Sequence, residues 1–291
     1  MRSLGLNNHK PYLLVLPALI FFSLFVLYGI GTVFAESLNL SLNTGSSIVK
    51  YYIELAEKPG FWSGLILSLQ VSAAATLLST IIGVYLARQF YRRVPDSIWH
   101  ALAWLPMLIP HFAAGYLAVL LLSQSGWFSG LLAQVTLIQE TSRFPVLVND
   151  KNGLGIIVTY LWKEIPFVLL MSMPVYRRMD WRYEDVVRTL GGGQWQVFKT
   201  VEWPALLPVL VETGIILFAF IFSAFELPYL LGVTYPKMIS VMAYQWFYEG
   251  SWSNRPLAMA LMTVSTVMVL IVAVVLLGLI QGKRYRMMRG R

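Results

Sequence analysis

Cysteine is absent from the 291 residues, which excludes disulfides, thiolate metal sites and cysteine nucleophiles. Histidine is nearly absent: residues 9, 100 and 111 are poor material for a Ser-His pair or a metal centre. His100 and His111 would lie on similar faces of one helix but about 16 Å apart along its axis, too far to share an ion, and are expected to be packed or interfacial. No His-Glu-x-x-His and no Gly-x-Ser-x-Gly occurs, which argues against a membrane hydrolase. No Gly-x-x-x-x-Gly-Lys-Ser/Thr occurs either, and Gly191-Gly192-Gly193 is followed by no lysine-serine pair, so the chain has no phosphate loop of its own. Charge is scarce as well: 12% of residues are charged, against about 25% in soluble domains. Hydrophobic residues make up 57%. The formal charge of +8 sits in short clusters beside apolar runs, the pattern of membrane flanks and not of a nucleic-acid surface.

What is present is length of apolar sequence. A bilayer core about 30 Å thick needs about 20 apolar helical residues. Six runs meet this, at 12–34, 62–87, 98–122, 154–175, 205–231 and 259–281, so an all-α polytopic membrane protein with six transmembrane helices is expected. The first run is too long for a signal-peptide core and is taken as an uncleaved span. Fifteen of the 22 lysines and arginines fall on the side that holds both termini, which the positive-inside bias places in the cytoplasm. The opposite loops, 35–61, 123–153 and 232–258, carry Trp127, Phe128, Trp246, Phe247 and Trp252, which suit interface anchors or a docking surface for an external partner. With no internal repeat, low-complexity tract or linker, residues 1–291 are expected to form one domain.

The long polar passage of the second half lies at 183–204. Tyr183 to Leu190 has Glu184 and Asp185 near its start and Arg188 near its end, which favours a short helix. The three glycines then stop it, because glycine enters the left-handed conformation of a helix C-cap cheaply. A second segment, Gln194 to Trp203, places Trp195, Phe198 and Val201 on one stripe, with Pro204 and Pro208 expected to close it and begin the fifth span. From periodicity the stripe either lies on the membrane or docks another protein.

The passage resembles the EAA motif of permease subunits of binding-protein-dependent ABC importers: Glu-Ala-Ala, three residues, Gly, nine residues, Ile, one residue, Leu-Pro. Asp185-Val186-Val187 stands at Glu-Ala-Ala, Gly191 at the glycine, Val201 at the isoleucine and Trp203-Pro204 at Leu-Pro, with both spacings kept. Aspartate is shorter than glutamate and the valines are bulkier than alanines, and Glu184 next door could supply the carboxylate. The six-span layout, with the motif between the fourth and fifth spans, is similar too. The resemblance implies a type I ABC importer permease fold in a bacterial or archaeal cytoplasmic membrane. It further implies a non-catalytic chain that couples through Glu184, Asp185, Arg188, Gly191, Trp195, Phe198 and Pro204 to a separate ATPase. The partners implied are two cytoplasmic ATPase subunits, a second permease that is a sister chain or a second copy, an extracytoplasmic solute-binding protein and lipid. No cofactor is expected in this chain, ATP and Mg being bound by the ATPase.

Four ionisable residues fall inside the runs: Lys163, Glu164, Glu212 and Glu226. A charge at a span centre costs roughly 2.5 to 3.5 kcal/mol on insertion scales, so each should face a cavity, the bundle interior or a partner. On a continuous fifth helix Glu212 and Glu226 would share a face about 21 Å apart. They would then either form a stripe that favours cations or reach the two interfaces separately, with Lys163 paired to a charge on another helix. Pro106, Pro110, Pro166 and Pro174 suggest broken or kinked spans. Because the family's fifth span lines the path, Ser223, Phe225, Glu226 and Tyr229 join Lys163 and Glu164 as pathway candidates. Phe225-Glu226-Leu227-Pro228 and Leu231-Gly232 look most like permeases for polyamines, ferric iron, phosphonates or thiamine, and the carboxylates lean toward a small cation. The alternative is an ion- or proton-coupled secondary transporter, which needs its own coupling-ion site and usually a repeat.

Overall fold

The computed structural model describes residues 10–40, 47–93 and 95–288. In chain order its helices are α1 Lys10–Ser37, α2 Lys50–Glu57, α3 Phe61–Arg93, α4 Asp96–Leu108, α5 His111–Leu122, α6 Trp127–Gln134, α7 Leu154–Arg178, α8 Arg182–Thr189, α9 Gln194–Val197, α10 Trp203–Ser223, α11 Glu226–Leu231, α12 Ile239–Tyr244 and α13 Arg255–Met288. Among the described residues no strand forms, and one isolated bridge pairs Asp150 with Gly232. Six stretches are long and apolar enough to cross a membrane: Leu14–Ser37, Phe61–Arg93, His111–Gln134, Leu154–Arg178, Gln194–Ser223 and Trp252–Gly278.

Two of the expected spans are interrupted, and proline accounts for both. The run 98–122 is not one helix. Pro110 has no N–H to give the carbonyl of Pro106, and a residue before proline avoids helical backbone. Ile109 is extended with ψ 123°, α4 stops at Leu108, and α5 restarts at His111. The run 205–231 likewise breaks at Ala224, which is extended with ψ 135°. Pro228 cannot donate to the Ala224 carbonyl, but it is tolerated in the first turn of α11, where no donor is needed. Glu212 and Glu226 therefore belong to different helices, and the shared face calculated for a continuous span does not exist. Pro204 does not close its segment either. The helix runs from α9 through a π turn, Phe198–Glu202, straight into α10. The wider turn absorbs the donor that Pro204 withholds.

The helices fall into two compact units. In the unit of residues 10–58 and 245–264, the hydroxyls of Ser37 and Tyr52 are 2.8 Å apart, tying the end of α1 to α2. The Arg255 guanidinium lies 4.4 Å from the ring centres of Phe247 and Trp252.

The unit of residues 59–244 and 265–288 is organised on α3 and α7. Between membrane helices water exclusion contributes little, so close backbone approach through small residues carries the packing. Ser68, Ser72, Ala75, Thr76, Ser79, Gly83 and Ala87 of α3 are all buried. At Gly83 a β-carbon would stand 2.5 Å from Cβ of Val168 on α7, a distance that admits only hydrogen. Helix α10 packs on both through Leu206, Leu210, Leu217 and Ile221, and α11 meets α5 where Leu227 and Leu230 close over Gly115.

Replacing Gly83 with leucine should lower the thermal unfolding temperature of the detergent-solubilised protein by an amount equivalent to about 1–3 kcal/mol. Gly214→Leu is the control, since nothing lies within 4 Å of a β-carbon there. Equal melting of the two variants would mean that α3 and α7 are not so close.

Candidate functional site

Two groups of polar residues, both within the unit built on α3 and α7, stand out. The first surrounds α8. Glu184, although in a polar passage, is buried and accepts hydrogen bonds from Arg188 at 2.7 and 3.0 Å and from Arg92 of α3. Burial pushes its carboxyl up, but the hydrogen bonds from Arg188 and Arg92 outweigh this and hold it below the usual carboxylate range. Glu202, 2% exposed in the π turn, accepts from Arg88 Nε at 3.1 Å and from the Tyr176 hydroxyl at 3.1 Å. Above these carboxylates Tyr91 stacks on Tyr176 and on Trp181, with ring centres 5.0 and 4.9 Å apart, and the Arg92 guanidinium covers Trp181 at 4.4 Å. Two acid–arginine pairs thus fasten α8 and the foot of α10 to the end of α3.

This arrangement separates the sequence candidates. Glu184 and Arg188 point into the latch, so the Glu184 carboxylate is engaged within the chain. Asp185 is exposed, as are Tyr183, Val186 and Leu190, which give α8 an uncovered, partly apolar outer face. Gly191 has φ +80°, the left-handed conformation expected of it, and no atom within 4 Å of a β-carbon, so backbone geometry alone selects glycine there. The stripe divides: Trp195 is 69% exposed, whereas Phe198 is half-buried against Trp195, Trp203 and the Arg88 guanidinium. Val197, outside the stripe, is the buried apolar residue of the segment, and Pro204 is exposed in the first turn of α10. Arg88, Arg92, Glu202, Tyr176 and Trp181 were not among the sequence candidates. The signal for them was weak, a basic cluster at the end of the second run and a glutamate in a polar segment, since contacts across 92 to 114 residues leave no local pattern.

The second group lies inside the spans. Lys163 is 2% exposed, and its Nζ donates to the carbonyls of Pro106 and Ile109, each at 2.6 Å. Those are the carbonyls that the break at Pro110 leaves without helical donors. The ammonium thus partners backbone oxygens on another helix, not a carboxylate. Glu164 faces His111, Oε1 to Nε2 3.4 Å, and the His111 ring lies 4.8 Å from that of Phe220 on α10. His111 is thus packed, at the start of α5. Tyr160 is fully buried with both Glu164 and Glu226 in electrostatic reach, so these two carboxylates share one neighbourhood. Phe225 stacks on Tyr244 at 4.3 Å and Tyr229 meets it edge-on at 5.7 Å. Ser223 and Glu212 are exposed. Among the described residues no group of three or more potential ligands could hold a metal ion.

Broken spans around buried charges, above a short helix held by a latch, define a membrane-transport architecture. Residues 79–287 match the family described as "Binding-protein-dependent transport system inner membrane component", and the chain belongs to it. It is 28% identical over 155 residues to sulfate permease 2 of the Chlamydomonas reinhardtii chloroplast, a match covering 53% of this chain and 39% of that one. It is 27% identical over 173 residues to the Escherichia coli K12 molybdenum transport system permease protein ModB, covering 54% and 66%. The matches thus span less than two thirds of either relative. A bacterial ABC transporter that imports the acidic polysaccharide alginate contains a chain that superposes with a TM-score of 0.77 at 17% identity, over 93% of this chain and 94% of that one. The fold is that of type I ABC importer permeases.

Lys163→Met should destabilise the protein, since each buried carbonyl left unpaired costs roughly 1–3 kcal/mol. Pro110→Ala, which restores an N–H opposite the Pro106 carbonyl, should recover part of the loss; thermal melts of the two single variants and the double variant measure it, and full additivity would refute the role. For Glu184 the folded carboxyl titrates below its unfolded value, so its stabilisation is complete above the unfolded value and fades as pH falls through the folded one. Amide exchange in α8, corrected for intrinsic pH dependence, should accelerate in wild type only below the ordinary carboxylate pKa of about 4.3. In Glu184→Gln it should already be fast at neutral pH.

Proposed function

We propose that this chain is the membrane-spanning subunit of an ATP-driven importer, forming the solute path and receiving its driving force from a separate ATPase. The observation that carries the reading is the match of residues 79–287 to the inner-membrane component family together with an uncovered α8 face, Tyr183, Asp185, Val186 and Leu190, ended by Gly191. Of two ATPase subunits in the cytoplasm, one docks on α8 of this chain, with Asp185 as the outward carboxylate and Trp195 on the rim. The ATPase subunits hold the ATP and Mg, and this chain catalyses nothing. A second permease chain, sister or copy, completes the path, and a solute-binding protein delivers from outside. Both termini are cytoplasmic, as the distribution of lysine and arginine supports.

The solute we infer is a small oxyanion. The names of the relatives, sulfate and molybdenum permeases, support this over a polyamine, iron or thiamine. Phosphonate, among the solutes suggested by sequence, is of the same class. The lean toward a cation rested on unopposed carboxylates, but Glu164 has His111 beside it and Glu212 is exposed. The path runs beside the break before Glu226, where Ser223, Glu226 and Tyr229 are its lining candidates. The coupling is mechanical. Closure of the ATPase dimer moves α8, and the pairs Glu184–Arg92 and Glu202–Arg88 pass the displacement to α3 and α10.

Gly191→Val should abolish ATP-driven uptake of molybdate or sulfate in proteoliposomes containing the ATPase, while leaving the amount of inserted protein unchanged. A β-branched residue at φ +80° is strained by about 1–3 kcal/mol. Uptake that persists in the variant, or that runs on an ion gradient without ATP, would refute the reading.

A further inference from the structure

Two cavities of the unit built on α3 and α7 meet at one residue. The first, about 130 Å³, is polar and is lined by Arg88, Arg92, Arg93 and Arg188 with Glu184 and Glu202, so four guanidinium groups face two carboxylates and the lining carries a net charge of +2. The second, about 410 Å³, is an apolar groove walled by Leu77, Ile81, Tyr85, Trp195 and Trp203, and it too includes Arg88. From Leu77 to Arg88 the groove follows α3 for about 16 Å.

The charge in the polar cavity is more than its own carboxylates use. Glu184 is shared by Arg92 and Arg188, and Glu202 is engaged by Arg88. Arg93 also lines the cavity and makes no ion pair among the described residues, and although Arg88 gives one further N–H to the Gln194 carbonyl, four guanidinium groups with five N–H donors each carry more than two carboxylates engage. An anion is what such a surplus takes. The groove adds a second demand, for a long aliphatic body, and its tyrosine and tryptophan rings suit the level where lipid tails give way to headgroups. A free phosphate would leave the groove unused, and a lipid with an added ammonium would bring no net charge to the arginines.

We propose that the two cavities form one site for an anionic phospholipid, its phosphate held by Arg93 and the outer edges of Arg92 and Arg88, with one acyl chain in the groove beside Ile81. The lipid lies against the latch that fastens α8 and the foot of α10 to α3. This site is independent of the solute carried.

The test is lipid retention by the purified full-length chain in mild detergent, followed by native mass spectrometry with phosphatidylglycerol and phosphatidylcholine of identical acyl chains. Wild type should retain phosphatidylglycerol about fivefold better, the scale of one arginine at a membrane surface. Arg93→Gln should abolish that preference, and Ile81→Trp should lower retention of both lipids by filling the groove. Equal retention of the two lipids by wild type would overturn the proposal, as would a preference unchanged in Arg93→Gln. Full displacement of phosphatidylglycerol by millimolar inorganic phosphate would reduce the site to a free-anion pocket and overturn it too. Because the chain has no cysteine, Ile81→Cys gives one clean thiol. Disulfide-linked dimers through it would show that a second copy covers the groove, whereas labelling of that thiol blocked by phosphatidylglycerol supports the lipid even if Arg93→Gln does not fold.

Discussion

In a bilayer a backbone carbonyl that loses its helical donor has no water to turn to, and the penalty is several kcal/mol unless the protein provides a substitute. Lys163 is that substitute for the break at Pro110, with one ammonium accepted by the carbonyls of Pro106 and Ile109. The position of much else follows from it. Because α4 can stop at Leu108, α5 can start afresh with His111 beside Glu164 and lay Gly115 against Leu227 and Leu230 of α11. Helix α11 is itself the product of a second break, at Ala224, that Pro228 imposes without loss because it falls in a first turn. Two proline interruptions, one satisfied by a lysine and one by position, bring Glu164 and Glu226 to the same tyrosine.

The latch below obeys a different balance. Its carboxylates are buried and its arginines half-exposed: Glu184 and Glu202 have side chains 9% and 3% exposed, while Arg92 and Arg88 have 50% and 28%. A surface ion pair contributes about 0–1 kcal/mol, but a carboxylate already withdrawn from water depends on its arginine, so removing either partner is far more costly than the pair is favourable. Such a contact fixes geometry more than it adds stability. That suits a joint, which has to hold α8 in one place while its outer face stays uncovered.

Apolar length, the one-sided distribution of lysine and arginine, and a turn made possible by glycine are local properties, and they were legible in sequence. Six spans were counted, the short helix before Gly191 lies within one residue of its expected start and end, and the left-handed glycine stands where expected. What could not be read was which of two adjacent charges points inward. Arg188 follows both within helical reach, four residues after Glu184 and three after Asp185, and the arrival of Arg92 from 92 residues away is what turns Glu184 inward. The same holds for Lys163: its neighbour Glu164 suggested a problem of charge pairing, whereas its partners are backbone oxygens that no side-chain pattern displays. Prolines were visible as interruptions, yet sequence did not tell breaks from continuity, and Pro110 and Pro204 went opposite ways. The first is preceded by an extended residue and ends a helix, and the second is taken up by a π turn.

That π turn bears on how α8 could act on a membrane span. Had the segment ended at Pro204 in a loop, motion of α8 would have been lost in flexible backbone. Instead Gln194–Ser223 is one helical rod of 30 residues, about 45 Å long, with Glu202 near its foot. Arg88 pins the rod at that point to α3, and Gly191, three residues before the rod begins, is the only described position between α8 and α9 with positive φ. A rod pinned close to one end turns a small displacement there into a larger one at the other, and the far end is Ser223, just before the break that orients Glu226. The near end of the rod adjoins α8, the proposed site of input, across the Gly191 turn, its far end adjoins the candidate path, and the pin between them is the Glu202–Arg88 pair.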